Sequence, residues 1–233
     1  MAGSFGNFVA VDLNEVQRAS QNQFARQSDR YGKGHILENV DDVRAALTHI
    51  AMPSQARVLD VATGGGHVAR RLREAGATVV TVDPAPGMQA DTTASAEDLP
   101  FADGSFDAVA TRLAAHHFAD ALGAVKEMAR VAAKHVVVCD NTFVSESSEE
   151  ADRVRDPSHV RNYAQAEWGS FFELAGLEVA EERYLERPLE IEPWLARVDC
   201  TGEDAARVRE LLGHRIVDGV MALPTLVLKS VKG

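Results

Sequence analysis

The hydrophobic period of this chain switches repeatedly between helical spacing and short β-branched runs, which restricts it to folds where strands and helices alternate. Ile36, Val40, Val43, Leu47 and Ile50 share one helical face, and the Pro53-Ser54 break ends that helix. Residues 57–61 then read as a buried strand, 66–75 as a helix stopped by Gly76, and 78–83 as a second strand. A strand at 105–112 follows. Leu122, Val125, Met128, Ala129 and Ala132 mark the next helix, and 135–140 (HVVVCD) is a strand apolar on both faces, as parallel sheets require. A helix at 166–175 ends at Gly176, and strands at 177–184 and 226–231 flank a charged helical segment at 202–212. Right-handed crossovers between such strands give an open, doubly wound α/β sheet with its ligand crevice at the carboxyl ends of the strands.

With 233 residues, 45% of them apolar, the chain is long enough for one sizeable core: a domain at 36–233 behind an N-terminal arm, 1–35. The net charge of -11 repels phosphate backbones and anionic membranes, so neither nucleic acid nor membrane is expected as a partner. Residues 1–11 show no basic region followed by an apolar stretch, and no window approaches the roughly 18 apolar residues of a membrane span. A cytoplasmic protein, monomer or homodimer, is expected. Cys139 and Cys200 lie far apart without a partner pattern, so neither disulfide nor zinc is indicated.

The first strand enters its helix through VLDVATGGGHVA (58–69), where Gly64, Gly65 and Gly66 let backbone approach a ligand. Gly64-x-Gly66-x-x-Ala69 also satisfies the dinucleotide fingerprint, so an NAD-dependent oxidoreductase competes with an S-adenosylmethionine binder. Two details favour adenosylmethionine. Strand alignment puts Ala62 and His67 where a dinucleotide site needs glycines, and Asp60 interrupts an apolar strand, where a carboxylate repels pyrophosphate but suits a cation. Asp60 is read as engaging the methionine ammonium, and Asp83, ending the second strand, as accepting from the ribose hydroxyls.

Asp60, Ala62, Gly64 and Gly66 occupy the frame of the first motif of the class I methyltransferases, and the chain resembles that family. Asp83 matches its second-strand acidic residue, and AEDLPF with DGSFD (96–107) looks like its third motif. TRLAAHHF, KEMARV, VVVCDN and RDPSHVRNY are similar to the ubiquinone/menaquinone-biosynthesis-type members over about residues 32–196. The resemblance implies a Rossmann-like, mostly parallel seven-stranded sheet with an antiparallel final hairpin and an N-terminal helical lid. It also implies a cofactor site at Asp60, Ala62, Gly64, Gly66, Asp83, Pro84, Ser95, Ala96, Glu97 and Arg112, with Tyr31 folding over it, and S-adenosylhomocysteine as product. Ser95 stands where that family usually has aspartate, and the 83–95 stretch is short for a helix and a strand.

Methyl transfer to oxygen or activated carbon needs alignment and removal of a proton. His116 and His117, after the fourth strand, are candidate bases, and as neighbours they lack metal-ligand spacing, so no metal is expected; His159, beyond an acidic stretch 146–156 expected to be mobile, is a third candidate. Adjacent histidines point different ways. At most one is therefore expected to face substrate, while the other caps the helix starting near Asp120 or packs beneath it. Arg112 either binds a carboxylate or pairs with Asp83 or Glu97. His159 and Arg161 either touch substrate or tie down the acidic loop, Tyr163 is expected to touch substrate, and Trp194 is a candidate wall for an apolar or aromatic acceptor. A small-molecule methyltransferase is the first reading, acting on carbon or oxygen of an aromatic, quinone-like or natural-product acceptor. An adenosylmethionine binder that transfers no methyl, such as a cyclase, is the second.

Overall fold

The computed structural model describes residues 13–27, 39–40 and 56–232. The expected helix at 36–50 lies largely outside them, as does Tyr31. A helix α1 (Leu13–Gln27) precedes strand β1 (Arg57–Val61), helix α2 (His67–Glu74) and β2 (Thr78–Asp83). Then come β3 (Thr92–Thr93), β4 (Phe106–Arg112), α3 (Ala121–Val131) and β5 (Ala132–Asn141). The chain continues through α4 (Glu146–Arg155), α5 (Gln165–Leu174), β6 (Leu177–Glu190), α6 (Ile191–Ala196), α7 (Gly202–Leu212) and β7 (Val220–Lys232). The seven strands form one sheet in the order β3-β2-β1-β4-β5-β7-β6. β1 to β5 run parallel, and β7 is antiparallel to both β5 and β6. This is the doubly wound sheet with a final antiparallel hairpin that the sequence led us to expect.

Alternation along the strands sorts side chains to the two faces. Leu59, Val61, Val136 and Val138 join one core with Phe106, Met128, Trp168 and Phe172, while Val58, Val137 and Cys139 join a second with Val68 and Leu72. Each fully buried Leu or Phe contributes roughly 1.5–3 kcal/mol of transfer free energy. A third cluster, with Ala151, Leu189, Ile191, Trp194, Leu195, Val208 and Leu212, lies beneath α4, α6 and α7. No helix among the described residues is long and apolar enough to cross a membrane.

Three local features depart from the sequence reading. Residues 146–155, expected to be mobile, form α4: the Ser145 hydroxyl accepts from Ser148 N–H, Glu146 and Glu149 sit in the positive first turn, and Arg153 and Arg155 in the last. β6 and β7 are much longer than 177–184 and 226–231, because Leu185, Arg187 and Leu189 continue a period of two that charged neighbours disguise. Beyond the Asn141–Thr225 pair the hairpin outruns β5. The short 84–94 stretch is met by one 3-10 turn (Pro86–Met88) and a two-residue β3. Asp91 secures it, accepting from Thr81 N at 2.9 Å and Thr81 Oγ1 at 2.8 Å.

KEMARV is structural. Arg130 donates to the carbonyls of Leu99 and Phe101, both at 2.8 Å, and the Glu127 carboxylate accepts from Leu99 N–H at 3.0 Å, so α3 clamps the LPF turn.

Ala62, leaving β1, has φ +54°, a left-handed conformation that costs an L residue about 1–2 kcal/mol. Glycine removes that cost and adds back about 0.5–1 kcal/mol of folding entropy. Ala62→Gly is therefore expected to stabilise the protein by up to about 1 kcal/mol, raising Tm by roughly 2–4 °C. Circular dichroism melts check this, and a Tm at or below that of the parent chain would show the turn to be unstrained.

Candidate cofactor and acceptor site

The carboxyl ends of β1, β2, β4 and β5 open into a cavity of about 510 Å³. One end of it is built around two carboxylates. Asp60 is buried within β1, and its Oδ2 accepts from the Thr63 hydroxyl at 2.6 Å and from Ala69 N–H at 3.1 Å. Burial, above all, pushes its pKa up to about 6. Asp83, at the end of β2, accepts from Gly64 N–H and Ala85 N–H, both at 2.9 Å, and burial pushes its carboxyl up as well. Between them the turn rises through Gly64 (φ +51°) to Gly66 (φ +69°), whose backbone caps α2. The left-handed φ, not crowding, is what requires glycine at 66, since a Cβ there would meet open space.

Beyond Asp83 the wall continues with Pro84, Met88, Ser95, Ala96 and Glu97. The Ser95 hydroxyl donates to Glu97 Oε2, and Glu97 Oε1 accepts from Ala119 N–H at 2.9 Å, so Glu97 also ties down the loop after β4. Helix α1 closes this end with Gln17, Ser20 and Phe24; Gln17 Nε2 donates to Ser95 Oγ at 3.3 Å, and the Phe24 ring meets His117 edge-on at 4.9 Å. Arg112 lines the cavity and donates to the Asn39 carbonyl at 2.7 Å, where ion pairs with Asp83 or Glu97 had been weighed.

The donor set fits S-adenosylmethionine. A buried carboxylate in an apolar strand suits its ammonium, a second carboxylate suits its ribose hydroxyls, and the glycine turn leaves room between them.

The other end gathers histidines. His116, in the 3-10 turn Ala115–His117, places Nδ1 2.6 Å from Asp140 Oδ1, and its N–H donates to Asp140 Oδ2 at 2.9 Å. Burial lowers the His116 pKa, but the Asp140 charge and hydrogen bond outweigh it, with Asp152 and Asp156 adding to the rise, so the net shift is upward. Asp140 is itself buried, yet His116 holds its carboxyl below the usual range. The His117 ring lies 4.2 Å from that of His116, and its Nδ1 faces the Ser158 carbonyl at 3.0 Å and Ser158 Oγ at 3.1 Å. Ser158 Oγ donates in turn to Asp156 at 2.6 Å. Neither histidine caps α3; Asp120 does so through Gly123 N–H. This end is walled by Leu185, Leu189, Trp194 and Leu223.

His159, Trp194, Ala62 and Gly64 line the cavity, whereas Gly66 shapes the turn without lining it. His159 Nε2 is 3.2 Å from Glu149, whose carboxylate also accepts from Asn162 Nδ2 at 2.7 Å, which ties the 158–162 loop to α4. Arg161 and Tyr163 fall outside the cavity, against their expected substrate role. Arg161 pairs with exposed Glu167 at 2.9 Å, and Tyr163 is buried against Trp168 and Phe171. An isolated bridge between Thr142 and Tyr163 turns that side chain into the core.

Sequence reasoning overlooked Asp140, Asn141, Arg155 and Arg187. Asp140 carried the same signal as Asp60, a carboxylate at the end of an apolar strand. Arg155 is buried with its guanidinium 4.1 Å above the Trp194 ring, and although it opens the RDPSHVRNY segment nothing there marked it out; Arg187, which donates to Asn141 Oδ1 at 3.0 Å, lies in no recognisable motif.

The family described as "Methyltransferase domain" matches residues 59–139. An uncharacterised methyltransferase of Bacillus subtilis, YcgJ, is 26% identical over 217 residues, covering 84% of this chain and 85% of its own length. Its crystal structure superposes with a TM-score of 0.74 over 83% of this chain and 99% of that one, at 23% identity. A putative methyltransferase from Bacillus halodurans superposes with a TM-score of 0.69 at 27% identity, with the same coverage. A demethylmenaquinone methyltransferase of Thermus thermophilus is 41% identical over 93 residues, 33% of this chain and 42% of that protein. The matched methyltransferase domain spans β1 to β5, and its two strand-end carboxylates flank a glycine turn: the chain carries a methyltransferase domain and is similar to the class I S-adenosylmethionine-dependent methyltransferases.

Proposed function

We propose that this enzyme methylates a small-molecule acceptor that gives up a proton, an oxygen or activated carbon on an aromatic or quinol-like ring, with His116 as the general base. The observation that carries the reading is the Asp140–His116 pair at 2.6 Å, whose imidazole lines the same cavity as the Asp60 and Asp83 carboxylates while Asp140 is buried behind it. Asp140 holds the proton on Nδ1, which leaves the Nε2 lone pair to take the acceptor's proton. Leu185, Leu189, Trp194 and Leu223 suit an apolar ring. The relatives that act on demethylmenaquinone, though matched over only a third of the chain, favour the same acceptor class. The acidic surface suits a cytoplasmic enzyme, and α1 within the 1–35 arm suits a lid that excludes water.

When bound, S-adenosylmethionine supplies an electrophilic methyl group whose C–S bonding pair leaves on sulfur. Asp60 would hold its ammonium, Asp83 its ribose, and Pro84, Met88 and Ser95–Glu97 would flank its adenine. His116 takes the acceptor's proton, and α1 and the β6–β7 hairpin exclude water.

Incubation with methyl-labelled S-adenosylmethionine and a panel of phenols, hydroquinones and amines tests this. Label is expected on the ring hydroxyls or ring carbons, and transfer confined to amines would overturn the proposal. His116→Gln is expected to lower kcat by about 10²–10³-fold, with S-adenosylhomocysteine affinity unchanged. In Asp140→Asn the imidazole loses the charge that raises its pKa. As a base His116 works only when neutral, so the acid limb of kcat, above pH 6.5 in the parent enzyme, should move to lower pH. Histidine NMR titration should show the same displacement without any acceptor.

Asp60 must be ionised to hold a cation, and its carboxyl titrates at about 6. Binding of S-adenosylhomocysteine should therefore be weaker at pH 5 than at pH 7 by about tenfold. Calorimetry at several pH values measures this, and a profile equally steep in Asp60→Asn would assign the dependence elsewhere.

A further inference from the structure

His117 is not needed as a second base, yet it stands in the cavity beside the first. Its position can be read atom by atom. The Ser158 carbonyl can only accept, so His117 Nδ1 carries the proton that bonds to it at 3.0 Å. The single Ser158 hydroxyl proton goes to Asp156 at 2.6 Å, so Oγ at 3.1 Å also accepts from that Nδ1–H. The ring is thus fixed with a bare Nε2. His116 is fixed the same way, its Nδ1 on Asp140 at 2.6 Å. Both rings line the cavity, their centroids 4.2 Å apart, and among the described residues neither Nε2 has a protein hydrogen bond or counts among the buried atoms lacking one.

Resting on the reading of His116 as base, we propose that His117 is a specificity-determining residue: its Nε2 accepts a hydrogen bond from a second donor on the acceptor molecule, adjacent to the group that His116 deprotonates. The acceptor class this selects is a ring with two neighbouring hydroxyls, one facing each imidazole. The two histidines differ electrostatically in the sense this division needs. Burial and then the neighbouring His116 charge hold His117 down to about 3, so it stays neutral and keeps accepting when His116 is protonated. The Phe24 ring edge packs on His117 at 4.9 Å, which adds apolar contact and no competing acceptor.

The test compares catechol with phenol and resorcinol, by calorimetry in the presence of S-adenosylhomocysteine and by labelled turnover with S-adenosylmethionine. The enzyme is expected to bind catechol about tenfold more tightly than phenol or resorcinol, the worth of one net hydrogen bond. His117→Asn keeps an amide near the Nδ1 position to bond Ser158 but deletes the Nε2 acceptor, and should erase the preference, so that catechol binds no more tightly than phenol. His117→Gln places an amide oxygen near the Nε2 position and should restore it. Melting with S-adenosylhomocysteine identifies any variant that fails to fold, and the pair of variants then keeps the comparison decisive. Equal binding of the three phenols by the parent enzyme, no binding of catechol, or a preference that survives His117→Asn would each overturn the proposal. The general-base reading fails separately, if His116→Gln turns over any acceptor as fast as the parent.

Discussion

The structure depends on one recurring constraint: carboxylates stand at the carboxyl ends of strands that are otherwise apolar, and a carboxylate out of water must be hydrogen-bonded. Asp60, Asp83 and Asp140 meet that demand in one way, each accepting at least one backbone N–H from the strand-end, turn or helix start that follows or faces it. Asp60 takes Ala69, Asp83 takes Gly64 and Ala85, and Asp140 takes His116 and Asn141. The loops over the crevice are therefore held by the groups that give it its charge. Local geometry and site electrostatics cannot be varied independently here.

This coupling explains why the fold was legible from sequence and the site only partly so. The strands at 57–61 and 78–83 were readable to the residue because both their faces are largely buried, which leaves short β-branched apolar runs broken only by the hydrogen-bonded Asp60, Thr81 and Asp83. Helix α4 was opaque for the opposite reason. Its sequence ESSEEADRVR has almost no apolar stripe, and it folds through its Ser145 cap and first-turn acids, packing only Ala151 and the half-buried Val154 against the third core. Tyr163 was misjudged from its closeness in sequence to His159; the bridge to Thr142 reverses the chain's facing within those few residues. The second partner of the His116 dyad was missed because Asp140 lies 24 positions along the chain from it, joined only by the β4–β5 register.

The cavity is composite. Its cofactor end is made by the first strands and their turns, parts that every doubly wound sheet of this kind supplies. Its histidine end is made by later parts: the far half of the β6–β7 hairpin with Leu189, Met221 and Leu223, α4, and α6 carrying Trp194, which share a core separate from the two that flank the sheet. Substitutions in that third cluster reshape the acceptor wall through Leu189 and Trp194 while leaving the Asp60 and Asp83 turn seated on the sheet. The cofactor end and the acceptor end are thus free to diverge separately.

Within the acceptor end, the two histidines show how adjacent identical residues acquire different properties. Both are fixed through Nδ1, so both present the same kind of atom to the cavity. What separates them is the partner behind: a bare carboxylate behind His116, and a neutral carbonyl and hydroxyl behind His117, with Asp156 one bond further back and already satisfied by Ser158. A charge in direct contact compensates burial and a charge one hydroxyl removed does not, so one imidazole rises and the other falls. Two titratable groups whose environments push them apart can serve as base and orienting acceptor at the same pH. Because both rings are anchored before any acceptor arrives, the geometry carries no ordering cost on binding.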